Sequence, residues 1–373
     1  AYKASSIDEN KLKNKEGKEG LIKYLAMIRN IDTNIGRLRS FLKESNLHKN
    51  TIFIFLTDNG SIFSTQYYDA GMRGMKTQLW DGGHRVPLFL HYPDGKFETK
   101  MLNGLTQVQD ILPTLIEMCD LKLNRFISFD GRSLVPQLKK NIPISDERMI
   151  VINYSRMPSG FEYPSPFGQS IVKKDKSVVL WKRWRLIENR ELYDLESDPM
   201  QTTDVIDKHP DVVIKMRKHL DHWWGSVEDI ANETQRIIIG SDNENPIMLT
   251  ACEWLDVFVD QQWQVKRGVE KNGYWLLEVD QAGTYEFELR RWPKELDRPL
   301  SEAEPDFEET ELATARLLID GVIHQKEYMP YSYEGAKLKL STEDKAATFQ
   351  IELTKGPIAL HTWFDKRGWY DTA

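Results

Sequence analysis

Asp58 and Asn59 stand at the end of an apolar run, Ile52 to Leu56 closed by Thr57, and Gly60 follows them. A carboxylate and a carboxamide side by side offer the oxygens that a hard cation such as calcium takes, and the glycine lets the backbone turn so that both converge. The competing structural reading is an Asn-Gly hairpin turn. Against it, the preceding run is continuously apolar and no matching strand follows directly. Downstream, Arg73, Lys76, Asp81, His84 and Arg85 crowd a glycine-bearing loop. Arg73 and Lys76 are spaced to face a bound anion, with a solvated loop lysine as the plain alternative. His84 is a candidate substrate contact or a structural rim residue. Gly82-Gly83 permits close backbone approach before the chain enters a strand, and Arg85 is expected to brace the loop through Asp81 or a neighbour.

The elements around these residues follow from periodicity. Residues 1–20 are polar and read as a solvated arm. Leu21, Tyr24, Leu25, Ile28, Ile31, Ile35, Leu38 and Leu42 fall at three- and four-residue steps, the apolar face of a long helix. The run ending at Thr57 reads as a strand buried on both faces, as in a parallel sheet, with functional residues beyond its carboxyl end. Val86 to Tyr92 is a second apolar strand, and Thr106 to Cys119 a helix with Pro113 in an early turn. These elements make an α/β region over residues 21–140. Residues 141–228 change texture to short strands with one helix, Asp211 to Trp224, a small α+β subdomain with an antiparallel sheet. Residues 229–246 read as a polar linker. Residues 247–373 alternate apolar and polar positions between Gly, Pro and Asp turns, the pattern of an all-β sandwich-like domain. Within it, Arg298 to Glu311 carries six acidic residues and reads as a solvated loop.

Composition narrows the classes. The 373 residues carry 50 basic and 57 acidic side chains, net −7, which argues against a nucleic-acid partner or an anionic membrane surface. No stretch is long and apolar enough to span a bilayer. Two cysteines, Cys119 and Cys252, exclude a disulfide scaffold. The 11 Trp, 14 Tyr and 15 Phe suit carbohydrate faces, and equally the cores of β-domains.

Four segments together resemble the formylglycine-dependent, arylsulfatase-like sulfatases of the alkaline-phosphatase-like superfamily. They are MIRNIDTNIGRL (Met27 to Leu38), TIFIFLTDNG, GMRGMKTQLWDGGHRVPLF and RWRLIENRELYDLESDPMQTTDV. The resemblance covers roughly Leu21 to Trp224. It implies that Asp58 and Asn59 are ligands of one Ca2+ ion, that Lys76 grips the sulfate ester, and that the substrate is a sulfated small molecule or glycan. It also implies a secreted or periplasmic enzyme. Asp81 stands where the family usually has Glu.

One family element is missing. The nucleophile is a formylglycine made from Cys/Ser-x-Pro/Ala-x-Arg, whereas Cys119 is followed by Asp-Leu-Lys and Cys252 by Glu-Trp-Leu. The resemblance therefore implies a chain holding half of a calcium/sulfate site, the C-terminal portion of a sulfatase. The nucleophile is then expected on an N-terminal chain or segment of the same enzyme. The alternatives are a metal-dependent phosphodiesterase or phosphonate hydrolase of the same superfamily, and a non-catalytic glycan-binding fragment.

Overall fold

The computed structural model describes residues 15–155, 171–303 except 256, 258, 260, 268 and 270, 312–327 except 321, and 343–366. Residues 1–14 of the polar arm and most of the acidic stretch after Arg298 lie outside the described residues. The fold mixes helices and strands in two compact units. The first takes the chain to Ser155 and resumes over Val172–Ala231; the second holds the described chain from Asn232 onward. The α/β region and the small antiparallel subdomain read from the sequence thus fall within one unit.

In the first unit, helix α1 spans Lys15–Glu44, so it begins inside the arm that composition marks as irregular. Its apolar face is poorly covered. Tyr24 packs edge-on to Phe63, with centroids 5.7 Å apart, while Ile28, Ile31, Leu38 and Phe41 stay exposed. Strand β1 (Phe53–Leu56) follows, then α2 (Asp81–His84) and β2 (Leu88–His91). Here the parallel-sheet expectation fails: β1 pairs antiparallel with β2, Phe53 opposite His91 and Leu56 opposite Leu88, in a two-stranded sheet. All of β1 is half-buried. Its continuous apolarity does not reflect burial on two faces, because no described element supplies a second neighbouring strand. The Asn-Gly hairpin is also absent, since the whole loop from Thr57 to Pro87 connects the paired strands.

Helix α3 (Ile111–Met118) carries Pro113 in its first turn, where a missing N–H costs nothing, and α4 (Val135–Lys140) follows. Asp110 ties this region together. Its carboxylate accepts from Gln107 N (2.9 Å), Arg132 N (2.8 Å) and Arg148 Nη2 (2.6 Å), and both charged side chains are buried.

Strands β3 (Met149–Asn153), β4 (Ser177–Trp181), β5 (Trp184–Ile187) and β6 (Glu191–Asp194) form an antiparallel sheet in sequential order. Alternation sorts its side chains onto two faces. Val179, Trp184, Leu186 and Leu192 pack on Val212, Val213, Met216 and Leu220 of α5 (Pro210–Val227). Ile150, Val178, Leu180, Ile187 and Tyr193 form the opposite face, and Leu79 and Trp80 of the charged loop pack against them. This sheet is therefore the floor of that loop.

The second unit begins inside the expected linker, where Ile237–Ile239 forms β7. After α6 (Gln262–Arg267) come β8 (Tyr274–Val279), β9 (Gly283–Leu289), β10 (Leu312–Ile319), β11 (Val322–Glu327), β12 (Ala347–Leu353) and β13 (Gly356–Lys366). One sheet runs β11-β10-β13-β8-β7, with β7 parallel to β8, and a second pairs β12 with β9. Leu277, Val279, Leu317 and Leu360 of the first share a core with Leu289, Phe349 and Ile351 of the second. No helix among the described residues is long and apolar enough to cross a membrane.

Replacing Asp110 by Ala would leave Arg148 buried without a counter-charge and two backbone N–H groups without an acceptor. The expected loss is about 3–5 kcal/mol, read as a fall in the urea midpoint of the first unit's transition.

Candidate functional site

The turn after β1 is held to the charged loop by backbone contacts. Gly60 N donates to Gly83 O at 2.9 Å, and a Cβ on Gly60 would lie 1.8 Å from Gly82 O. Gly82 N in turn donates to Arg73 O at 2.8 Å, and a Cβ there would lie 2.4 Å from Gly74 O. Gly83 meets Gln78 O in the same way, at 2.0 Å. Three backbone segments therefore touch where no other residue type fits. Lys76 N reaches Ser61 O at 3.5 Å and the Ser64 hydroxyl donates to Gly74 O at 3.0 Å, so the lysine-bearing loop is stitched to the metal-type turn.

Asp58 is exposed and Asn59 half-buried. The Asp58 carboxylate accepts from Asn59 N at 2.9 Å and from Asn59 Nδ2 at 2.6 Å, so the two side chains lie together. The Asn59 amide thus turns its nitrogen to the carboxylate, and joining Asp58 on a cation would require the amide to rotate its oxygen that way. The donor chemistry fits calcium, but two side chains fall well short of its usual 6–8 oxygens. No cluster of three or more His, Cys, Asp or Glu able to hold a metal occurs among the described residues. Lys76 is exposed.

Two candidates for substrate contact turn inward instead. The Arg73 guanidinium donates from Nη1 to Gln201 O at 2.5 Å and to the Tyr193 hydroxyl at 3.4 Å, and stacks 4.0 Å from the Trp80 ring centroid. It braces the loop onto the sheet. His84 Nε2 lies 3.0 Å from Leu79 O, which requires a proton on that nitrogen. Burial holds its pKa below the ordinary 6.5, against the opposing pull of Asp81, so the ring is neutral near pH 7.

The expected brace for Asp81 also changes hands. Arg85 is largely exposed, with its Nη1 3.7 Å from Asp81 Oδ2. The close partner is Arg185 of β5, whose Nε donates to Asp81 Oδ1 at 2.8 Å with both side chains buried. Gln201, fully buried, accepts from Asp81 N through Oε1 at 2.9 Å. Sequence reasoning passed over Arg185 and Gln201. The arginine had a signal: a charge in the middle of Trp-Arg-Leu-Ile, a run that otherwise reads as buried, requires a partner. Gln201 had none. Gly82-Gly83 makes its close backbone approach within the short helical turn α2, and the strand expected from Val86 begins at Leu88.

The residues in contact here fall inside the reach of two family models. One, described as Sulfatase, matches residues 3–121, and another, described as N-sulphoglucosamine sulphohydrolase, C-terminal, matches residues 72–224. Over residues 3–224 the chain belongs to the sulfatase family. An N-acetylgalactosamine-6-O-sulfatase of Bacteroides thetaiotaomicron is 25% identical over 223 residues, covering 55% of this chain and 42% of the relative. The uncharacterized sulfatase YdeN of Escherichia coli is 28% identical over 117 residues, covering 31% and 21%. The solved structure of Ps i-CgsB in complex with k-i-k-neocarrahexaose is 22% identical, with a TM-score of 0.46 over 58% of this chain and 46% of that one. The chain thus spans less than half the length of each of these relatives.

His84 gives this site a pH signature. Its folded pKa lies below the unfolded value, so the unfolded chain binds the proton first and stability falls as pH drops below about 6.5, with no contribution above it. His219, also lowered by burial, acts with the same sign. His84→Asn should flatten part of the decline in urea midpoint between about pH 7 and 5, leaving the His219 share.

Proposed function

We propose that this chain supplies the Asp58–Asn59 and Lys76 part of the active site of a sulfatase that hydrolyses sulfate esters, with a sulfated carbohydrate as substrate. The observation that carries the reading is the glycine contact, which brings the oxygen-donor turn and the lysine loop into one hydrogen-bonded assembly within the matched family region. The carbohydrate assignment is supported by the relative called an N-acetylgalactosamine-6-O-sulfatase.

In this reading the fold is part of an alkaline-phosphatase-like α/β domain, followed by the small antiparallel subdomain and the β-sandwich-like domain. Asp58 and Asn59 would hold one calcium ion, with its remaining ligands on other segments of the enzyme. When bound, calcium withdraws charge from the sulfate oxygens. Lys76 offers a mobile point charge to the same non-bridging oxygens. Hydrolysis splits the bond between sulfur and the ester oxygen, and water supplies the atoms that leave sulfate and a free hydroxyl. The negative charge that grows in that step sits on the departing ester oxygen, while Lys76 would hold the charge of the non-bridging oxygens in place. The nucleophile, a formylglycine, is assigned to an N-terminal chain or segment, and the enzyme to a secreted or periplasmic location.

In the complete enzyme, Lys76→Ala should lower kcat/KM on an aryl sulfate by about 10²–10³-fold. Asp58→Ala should abolish calcium binding measured by calorimetry. Wild-type turnover in either variant would overturn the site assignment.

A further inference from the structure

Between the proposed calcium turn and the antiparallel sheet runs a continuous chain of buried polar contacts. Gly60 N is bonded to Gly83 O, and Gly82 N to Arg73 O. The segment that makes these contacts starts at Asp81, which is 1% exposed. Asp81 is fixed twice from the sheet side: its carboxylate by Arg185 Nε at 2.8 Å, and its backbone N–H by Gln201 Oε1 at 2.9 Å. Gln201 also accepts Arg73 Nη1 on its own carbonyl. A single residue beyond β6 therefore holds both loop segments that abut the calcium turn.

Gln201 is built for this task. It is fully buried and has a left-handed backbone, φ 49°, which a glutamine adopts only where its surroundings over-determine it. Its Nε2 and Asp81 Oδ2 are buried with no hydrogen-bond partner among the described residues, so the acceptor oxygen is the part of the amide that is engaged.

We infer that Gln201 is a positioning residue: through Asp81 N and the glycine contact it sets the geometry of Asp58 and Asn59 toward calcium. This rests on the reading of those two residues as calcium ligands. Arg185 is the second support, but its removal would strand a buried carboxylate and threaten folding. The discriminating changes are therefore at Gln201. Gln201→Met keeps volume and removes the acceptor, whereas Gln201→Glu keeps an acceptor oxygen for Asp81 N and adds a buried charge whose cost shows in its unfolding midpoint.

The test is calcium calorimetry on the complete enzyme, well below the unfolding midpoint of each variant, alongside Asp58→Ala. Outer-shell partners typically govern metal affinity by 10–100-fold, so Gln201→Met should raise the calcium Kd by about tenfold or more. Gln201→Glu should stay within about threefold of wild type. A role confined to stability would lower the midpoint of Gln201→Met and leave its calcium Kd unchanged, which overturns the proposal while Asp58→Ala still loses calcium. Equal weakening in both Gln201 variants overturns the acceptor argument. Undiminished calcium binding by Asp58→Ala removes the ligand assignment itself, and the positioning role with it.

Discussion

The site depends on a contact in which three stretches of main chain meet with no side chain between them. Gly60, Gly82 and Gly83 each sit so that an added Cβ would fall within 2.4 Å of a carbonyl oxygen. Such distances lie well inside contact and cannot be relieved by rotating a side chain, because the obstacle is backbone. The hydrogen bonds Gly60 N to Gly83 O and Gly82 N to Arg73 O work only at that separation. Charge enters next. With so little side chain in the contact, the α2 turn is fixed from below by the buried Asp81–Arg185 pair and by Gln201. The sheet of β3 to β6 thereby stands under a site to which it offers no candidate ligand.

Electrostatics separates the cations of the loop by role. Three guanidinium groups lie near Asp81 or its neighbours, and only Arg185 has a short, buried carboxylate partner. Arg73 is held by a carbonyl oxygen, a phenol and an indole face, which engage its Nη1 and its plane without neutralising its charge. Burial and Glu191 push the Tyr193 phenol up in pKa, so it stays neutral beside Arg73 and donates to Glu191 at 2.8 Å. The guanidinium of Arg73 is spent on architecture, whereas Lys76 and Arg85 are presented to solvent.

The sequence was most informative where chemistry and composition agree. An apolar run that stops at Asp-Asn-Gly marks a strand end, and β1 does end just before it, at Leu56. Apolarity alone, however, does not distinguish a strand flanked on both sides from one paired antiparallel in a two-stranded sheet, and β1 is the latter. Helical spacing in α1 was legible, but spacing says nothing about what covers the apolar face; here Ile28 and Ile31 remain exposed. The direction of Arg73 was not legible, because an arginine in a glycine-bearing loop has the same local pattern whether it faces solvent or a sheet. Its inward turn is decided by Trp80, Tyr193 and Gln201, two of them more than a hundred residues away. The short strand β7 was hidden in a polar stretch because three isoleucines suffice once β8 offers an edge.

Exposure of Lys76 bears on how it would hold a sulfate. An ion pair at 4 Å is worth about 1 kcal/mol in bulk water and about 4 kcal/mol at the effective dielectric near a protein surface. As it stands in solvent, the ammonium is near the weak limit. The glycine contact fixes where the lysine's backbone lies, and hence where the charge is delivered, but it excludes no water. A grip of catalytic strength therefore requires further surface to close over the sulfate. In the proposed sulfatase that surface comes from the bound substrate and from the segment bearing the nucleophile. Placement and strength are thus separate contributions: this chain's own backbone fixes the first, and assembly of the complete site sets the second.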